Sequence, residues 1–515
     1  ETATCTQFLG QEKGQELLQQ GLPEGWYLET DFIRQYPLGP GAAHVLGYLG
    51  ELSQTELKDD YYSLRNYQPG DKVGRMGAEE VFEDRLRGRD GGELVEVDAR
   101  GKILRSLGRQ EDTPGEDISL ALDAGLSRVA STVFPPGEKG AIIVTKPSTG
   151  EILALYSSPS FSPDAFSLGM STAQYQALID NSDKPMFNRA IGGVYPPGST
   201  FKIVTALAAL EEGAVRPETI VDDVGVITIG PFTFPNWYFA QYGKTEGNVD
   251  IVKAIQRSND IFFYKAAEWV GITKLASWAK RIGIGKPLGI EISGEASGLM
   301  PDPSWKRQEF TSPADKLAHN DEWYLGDTYH VAIGQGYVLT TPLQVNAWTN
   351  VIASGGKFCE PTIQKITNAK TQAQNCKSLG IKPEAIDLIT KGMIAACEPG
   401  GTGWPLFNFQ ISKSDQSEQL KTASPSAAQP VKYFSVPVAC KTGTAEFGDP
   451  KNRTHAWFTA FAPVRKTDMP AGEITQSLIS GDPEISVTVL VEGAGEGSNV
   501  AAPVAKKILE EWFRR

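Results

Sequence analysis

The stretch YPPGSTFK, Tyr195 to Lys202, sets a serine and a lysine three positions apart behind a Pro-Pro-Gly turn. The residues on its C-terminal side decide how the pair can act. FKIVTALAALEEG, Phe201 to Gly213, is largely apolar and ends at a glycine, the pattern of a helix buried along most of its length. Ser199 then falls at the helix N-terminus, where free N–H groups and the positive end of the macrodipole favour negative charge, as an oxyanion hole requires. Lys202 lies on the same face and within reach of the hydroxyl. An ammonium buried at the mouth of an apolar helix loses hydration, so its pKa falls and an amine able to accept a proton becomes accessible. Alone, S-x-x-K is short and equally describes an N-cap serine followed by a solvated lysine.

The rest of the chain bounds the problem. Its 515 residues call for roughly two or three domains. A composition of 40% hydrophobic and 22% charged residues, with 53 Gly and 33 Pro, is that of a globular protein with many turns. The formal charge of −13 and the absence of a Lys/Arg cluster exclude a nucleic-acid partner. No run of about 18 apolar residues occurs, so the sequence as given holds neither a bilayer-spanning segment nor a signal peptide. The 5 cysteines, Cys5, Cys359, Cys376, Cys397 and Cys440, form no C-x-x-C pair and signal neither a disulfide framework nor a zinc knuckle. The 4 histidines, His44, His319, His330 and His455, lack ligand spacing and read as structural or surface residues. No metal and no cofactor are expected.

Along the chain, residues 1–115 mix short helical and extended patterns with glycine-rich punctuation at GPGAAHVLGYLG and GRMGAEEVFEDRLRG, and read as an accessory domain. A linker is expected at Gly108 to Asp117. Residues 116–515 form the second unit. In it, Asp117 to Phe134 has helix-like spacing, and Ala141 to Ser158 reads as two strands around a Pro-Ser-Thr-Gly turn. His455 to Pro463 and Ile485 to Gly493 read as strands, and Ala501 to Arg515 as a final helix. Strands at both ends with helices between predict an α+β domain whose sheet is completed by distant segments. Ser414 to Pro430 is polar and reads as a mobile surface insertion.

Two more motifs raise the weight of Ser199. RSND, Arg257 to Asp260, interrupts two helical stretches and puts Ser258 in a short polar break. KTGT, Lys441 to Thr444, offers a fixed charge, two hydroxyls and a glycine that allows close approach of a ligand. Each alone is weak. S-x-x-K, a variant of S-D-N and K-T-G in that order are the signature of penicillin-binding proteins and serine β-lactamases. The chain resembles the class B, monofunctional penicillin-binding proteins over most of its length. The resemblance takes in YPLGPGAAHVLGYLG and GRMGAEEVFEDRLRG, which look like pedestal signatures, and FNRAIGGVYPPGSTFKI, GDTYHVAIGQGYVLTTPLQVN, KTGTAE and HAWFTAFAP.

The resemblance implies a penicillin-binding transpeptidase domain, with helices packed on an antiparallel sheet, behind a partial, non-catalytic pedestal of the dimerisation type. It implies that Ser199 attacks the penultimate D-alanine of a stem peptide ending in D-Ala-D-Ala, with Lys202 as its base. Ser258 and Lys441 would relay the proton to the leaving amine. The N–H groups of Ser199 and Thr444 would form the oxyanion hole, and Asp260, Thr442, Gly443 and Thr444 would bind substrate. An acceptor amine would then complete the cross-link, and β-lactam antibiotics would acylate the same serine. Asp260 in third place of the middle motif resembles the elongation-type branch. Relatives begin with a cytoplasmic tail, a membrane helix and a longer pedestal, so this chain is expected to be a fragment of a protein anchored at the extracytoplasmic face of the bacterial inner membrane. Its expected partners are a glycosyltransferase and membrane proteins of the elongation complex.

Some elongation-type relatives carry zinc between the first two motifs. Ala214 to Gln256 contains no Cys and no His, so that site is not expected here. Cys440 reads as a free core cysteine, His455 as structural, and Asp222 with Asp223 as a solvated loop. The competing functions are a D,D-carboxypeptidase or β-lactamase, in which water takes the acyl group, and a catalytically silent cell-wall scaffold.

Overall fold

A computed structural model describes residues 11–22, 33–99, 103–413, 432–469 and 478–515. Near the start lies an antiparallel hairpin of β1 (Gly92–Val97) and β2 (Ile103–Gln110), exposed along almost its whole length. Then come helix α1 (Ala124–Val133) and the paired strands β3 (Gly140–Thr145) and β4 (Ile152–Ser158). A helical region comes next: α2 (Lys202–Glu211), α3 (Trp237–Tyr242), α4 (Ile251–Arg257), α5 (Asp260–Val270), α6 (Pro342–Ala353) and α7 (Pro383–Ala396). The chain then returns to the sheet as β5 (Ala439–Glu446), β6 (Thr454–Ala462) and β7 (Ile485–Val491), and ends in α8 (Ala501–Phe513).

Strands β3 to β7 form one antiparallel sheet in the order β5-β6-β7-β3-β4, so segments more than 340 residues apart, β7 and β3, complete each other, as the sequence predicts. Alternation along the strands gives the sheet two buried faces. Val487 and Val489 of β7 and Phe458 of β6 turn towards Leu126 of α1 and Ile508 of α8. Trp457, Phe461 and Leu490 turn the other way, into the core that holds α2, α4, α5 and α6. That second face also carries a buried polar seam. Asn346 and Asn350 of α6 pair with Thr145, Ser486 and Thr488, and Thr459 lies 2.8 Å from both Thr349 and Thr488 through their hydroxyls. Because every member is paired, the seam fixes the register of α6 on the sheet instead of costing burial energy.

The N-terminal segment packs against this unit. Val45, Ala78 and Phe82 join the larger core, and Ser160 donates to Pro40 O at 2.8 Å.

Several expectations are corrected. Helix α1 starts at Ala124, because Asp123 caps it by accepting from Leu126 N while Leu120 bridges Gln364 in extended form. Gly108 to Gln110 of the expected linker belong to β2. The cysteines are paired: Cys359 bonds Cys376, and Cys397 bonds Cys440, so Cys440 is not a free core thiol. Cysteines 17 and 43 residues apart reveal no pairing in sequence, since only the fold brings them together. Cys5 and the stretch Ser414 to Pro430 lie outside the described residues.

Candidate active site

The edge strand β5 and the helical core face each other across a cleft of about 1440 Å³, and Ser199, Ser258, Asp260, Thr442, Gly443 and Thr444 all line it. Ser199 sits in a 3-10 turn, Gly198–Phe201, that feeds directly into α2. Side chains three apart eclipse in such a turn, so Ser199 and Lys202 leave the backbone on one side. The helix proper begins at Lys202, one residue later than the Phe201 start read from the sequence, and the 3-10 turn separates Ser199 from it. Trp457 Nε1 fixes the preceding turn by donating to Pro196 O at 2.9 Å, and Tyr195 donates its hydroxyl to Glu492 at 2.7 Å. Among the described residues the Ser199 hydroxyl has no hydrogen-bond partner.

Ser258 is the hub. It caps α4 in the left-handed region, φ 55°, which costs a non-glycine residue about 1–3 kcal/mol. Asn259 then caps α5, accepting from Phe262 N at 2.9 Å, and Asp260 is the first residue of that helix. The strain is offset by lysine contacts, each worth about 1.5–3 kcal/mol when charged. Lys202 Nζ donates to Ser258 O at 2.7 Å and Ser258 Oγ at 3.2 Å, and reaches Asp260 Oδ1 at 2.6 Å. Lys441 Nζ approaches the same Oγ from β5 at 2.9 Å and donates to Thr442 O at 2.9 Å.

Both lysines are completely buried. Burial lowers the pKa of Lys202, and the Asp260 carboxylate pulls it back up. Burial lowers Lys441 well below the ordinary lysine value, the charge of Lys202 pushes the same way, and Asp260 opposes both. With three acceptors around it, Lys202 is saturated as an ammonium. Lys441 is the amine more easily found neutral.

Asp260 lines the cleft, and each of its oxygens already accepts a bond from the protein: Oδ1 from Lys202, and Oδ2 from Trp237 N at 2.8 Å. Behind it stands a layer not foreseen from the sequence. Asp223, expected in a solvated loop, is buried and accepts from Asn236 Nδ2 at 2.8 Å, Asn259 Nδ2 at 3.0 Å, Gly225 N and Glu246 N. Its neighbour Asp222 is exposed. Asn236 Oδ1 in turn accepts from Asp260 N. A D-D dipeptide read alone cannot show that one carboxylate turns inward to organise a distant motif.

On the sheet side, a Cβ at Gly443 would lie 2.9 Å from Thr200 Cγ2 and Trp457 Cβ, so the glycine lets β5 close against the Ser199 turn rather than only admitting ligand. Gln335, oriented to satisfy its amide, pairs with Glu446 N and O at 3.0 and 3.3 Å and closes the free edge of β5 beyond Thr444. His455 is the second residue of β6. Its Nδ1 accepts from Gly493 N at 3.1 Å, its ring stacks on Phe447, and burial lowers its pKa to about 4, so it is a neutral wall of the cleft.

A sheet of this order, with helices on both faces and an S-x-x-K turn beside its edge strand, is the architecture of serine acyl-transferring, penicillin-recognising proteins. Residues 140–510 match the penicillin binding protein transpeptidase domain and residues 5–120 the penicillin-binding protein dimerisation domain, so the chain belongs to the class B penicillin-binding proteins. It is similar to the peptidoglycan D,D-transpeptidase MrdA of Acinetobacter baumannii, 34% identical over 95% of this chain and 67% of that protein. MrdA of Haemophilus influenzae is 32% identical over 94% of this chain and 70% of its own. Among solved structures, penicillin-binding protein PBP2 of Helicobacter pylori in complex with MreC superposes with a TM-score of 0.74 at 29% identity, covering 93% of this chain and 79% of that one. Pseudomonas aeruginosa PBP2 in complex with WCK 5153 gives 0.71 at 31% identity, covering 94% and 91%.

Proposed function

We propose that this peptidoglycan D,D-transpeptidase works through an acyl-enzyme on Ser199, with the proton moved by Lys202, Ser258 and Lys441. The observation that carries the reading is the convergence of two buried amines on one hydroxyl, Ser258 Oγ, in the cleft that Ser199 faces. At rest the proton sits on Lys202. Passing it through Ser258 Oγ to neutral Lys441 leaves Lys202 with a lone pair. Lys202 then takes the Ser199 hydroxyl proton as Oγ bonds the carbonyl carbon of the penultimate D-alanine. Lys441, now an ammonium, returns a proton through Ser258 to the departing nitrogen, and terminal D-alanine leaves as the C–N bond breaks. The N–H groups of Ser199 and Thr444 would hold the oxyanion, and Thr442 and Thr444 the substrate carboxylate. An acceptor amine then attacks the ester carbonyl, giving its proton through Ser258 to Lys441 as the C–O bond breaks and Lys202 returns a proton to Ser199 Oγ. Passage of the proton from Lys441 back to Lys202 restores the resting state. The proposed role of Asp260 is to hold the Lys202 charge rather than the substrate.

The elongation role is supported by Asp260 in the middle motif and by the MrdA relatives. We infer that the chain divides near residue 115. Arg89 pairs with Thr113, and Glu116 N donates to Arg85 O, whereas Lys365 N donates to Ser119 O and Ala121 N to Ile363 O, so backbone pairing changes sides between Glu116 and Ser119. Two disulfides support an extracytoplasmic location, because thiols in the bacterial cytosol are kept reduced. The H. pylori complex with MreC, and a similar chain solved in a peptidoglycan synthase complex that coordinates polymerisation and cross-linking, support an MreC-like partner and a polymerising partner for this chain as well.

Incubation with a pentapeptide ending in D-Ala-D-Ala, together with an amine acceptor, tests the reading by chromatography of products. Released D-alanine and a peptide–acceptor amide are expected. Tetrapeptide acid alone would favour the carboxypeptidase, and unchanged pentapeptide the scaffold.

A further inference from the structure

The loop after α7, with the sequence CEPGGTGW from Cys397 to Trp404, forms a second face on the KTG strand. Four contacts hold it. Cys397 is bonded to Cys440, the residue before Lys441. Gly403 N donates to Ala396 O at 2.7 Å and Gly401 N to Glu398 O at 2.8 Å. Arg257 Nη1, from the end of α4 and next to Ser258, donates to Gly400 O at 2.7 Å. The loop packs so closely on the disulfide that a Cβ at Gly403 would lie 2.6 Å from Cys440 Sγ and 3.0 Å from Cys397 Sγ. Only glycine fits there.

This clamped loop delivers one hydroxyl to the cleft. Thr402 lines the cavity, and Thr442 Oγ1 donates to Thr402 Oγ1 at 2.8 Å. Among the described residues this is the only hydrogen bond of the Thr442 hydroxyl. We propose that Thr402 is a positioning residue for recognition of the substrate carboxylate, acting through Thr442. The inference rests on the acyl-transfer function proposed for Ser199, in which Thr442 faces that carboxylate.

A threonine hydroxyl has one proton and two lone pairs and rotates to suit its partners. In the free cleft Thr442 places its proton on Thr402. A carboxylate is a stronger acceptor, because hydrogen bonds to an ionised group are about twice as strong as neutral ones. When one arrives, Thr442 turns its proton to the anion, and Thr402 becomes the donor to Thr442. The Thr442 oxygen stays in place in both states, so binding requires a proton to rotate but no side chain to change rotamer. Without Thr402, Thr442 would lose its anchor and sample other staggered χ1 wells.

The test is the second-order acylation rate constant of the wild type, Thr402→Val and Thr402→Ser, with benzylpenicillin and with its methyl ester, whose carboxylate is neutralised. Val keeps the shape and removes the hydroxyl, while Ser keeps the hydroxyl. The expected result is a loss of about tenfold for benzylpenicillin in Thr402→Val, the size of one hydrogen bond. Thr402→Ser should stay near the wild-type rate, and the ester rate should be unchanged in both, so that the preference for free acid over ester collapses only in the Val variant. Equal loss on acid and ester, including loss through misfolding, would overturn the proposal, as would an unchanged Val variant. A wild type that neither drug acylates would overturn the acyl-transfer reading itself, an outcome visible before any variant is made.

Discussion

On the helical wall of the cleft, Lys202 is buried against a carboxylate 2.6 Å away; on the sheet wall, Lys441 is buried as completely with no carboxylate in contact among the described residues. The two amines share one hydroxyl and differ in one charge. That difference gives the site its direction. In the proposed relay the ion-paired lysine keeps the proton at rest and the lysine without a counter-charge receives it, so the proton passes between them without the cleft gaining or losing charge. The helical wall is organised by a buried side-chain network centred on Asp223, whereas the sheet wall is organised by a covalent bond, Cys397 to Cys440.

Removing each lysine separates the walls most sharply. Lys202→Met should reduce acylation by at least about a thousandfold, and should also cost about 3–5 kcal/mol of stability, because Asp260 is left buried without a counter-charge. Urea unfolding of that variant at wild-type stability would break the comparison. Lys441→Met should reduce acylation by about a hundredfold while costing much less stability than Lys202→Met, since it replaces a desolvated amine that has no counter-charge by an apolar chain of similar length. If it unfolds as easily as Lys202→Met, the asymmetry is wrong.

Asp260→Asn sharpens the assignment through pH. The carboxylate raises the Lys202 pKa against the lowering effect of burial, so its removal lets that pKa fall further. A base with a lower pKa is deprotonated at lower pH, and the acidic limb of the acylation-rate profile should therefore move to lower pH. A limb that stays put or moves upward would deny Asp260 its role. The disulfide test has the smallest expected effect on rate. Cys397→Ser with Cys440→Ser should lower stability by about 2–4 kcal/mol and slow acylation only several-fold. The same change at Cys359 and Cys376, a pair that joins two short strands away from the cleft, should lower stability and leave acylation unchanged. Equal effects of the two pairs on acylation would remove the Cys397–Cys440 bond from any part in the site.

Much of the sheet and the three motifs are legible in the sequence, for a physical reason. YPPGSTFK, SND and KTG each carry their chemistry within a few residues, where turn geometry and helix caps fix the side chains locally. The strands His455 to Pro463 and Ile485 to Gly493 announce themselves as apolar runs buried on both faces. The features that sequence does not reveal are tertiary. Asp223 looks like any acidic loop residue until Asn236 and Asn259 close on it. Cys397 and Cys440 are 43 residues apart, and nothing local marks them as partners. Thr402 sits in a glycine-rich turn whose meaning comes from the strand it packs on. The start of α1 is hidden for the same reason: Leu120, apolar and in helical spacing, is extended to pair with Gln364.

The most direct test of the site is intact-protein mass spectrometry after incubation with benzylpenicillin, on the wild type and on Ser199→Ala. A stable increase of one drug mass in the wild type, absent from the variant, is the expected result. An adduct that persists in Ser199→Ala, or a wild type that stays unmodified while the drug remains intact, would contradict the assignment of Ser199 as the nucleophile of this cleft.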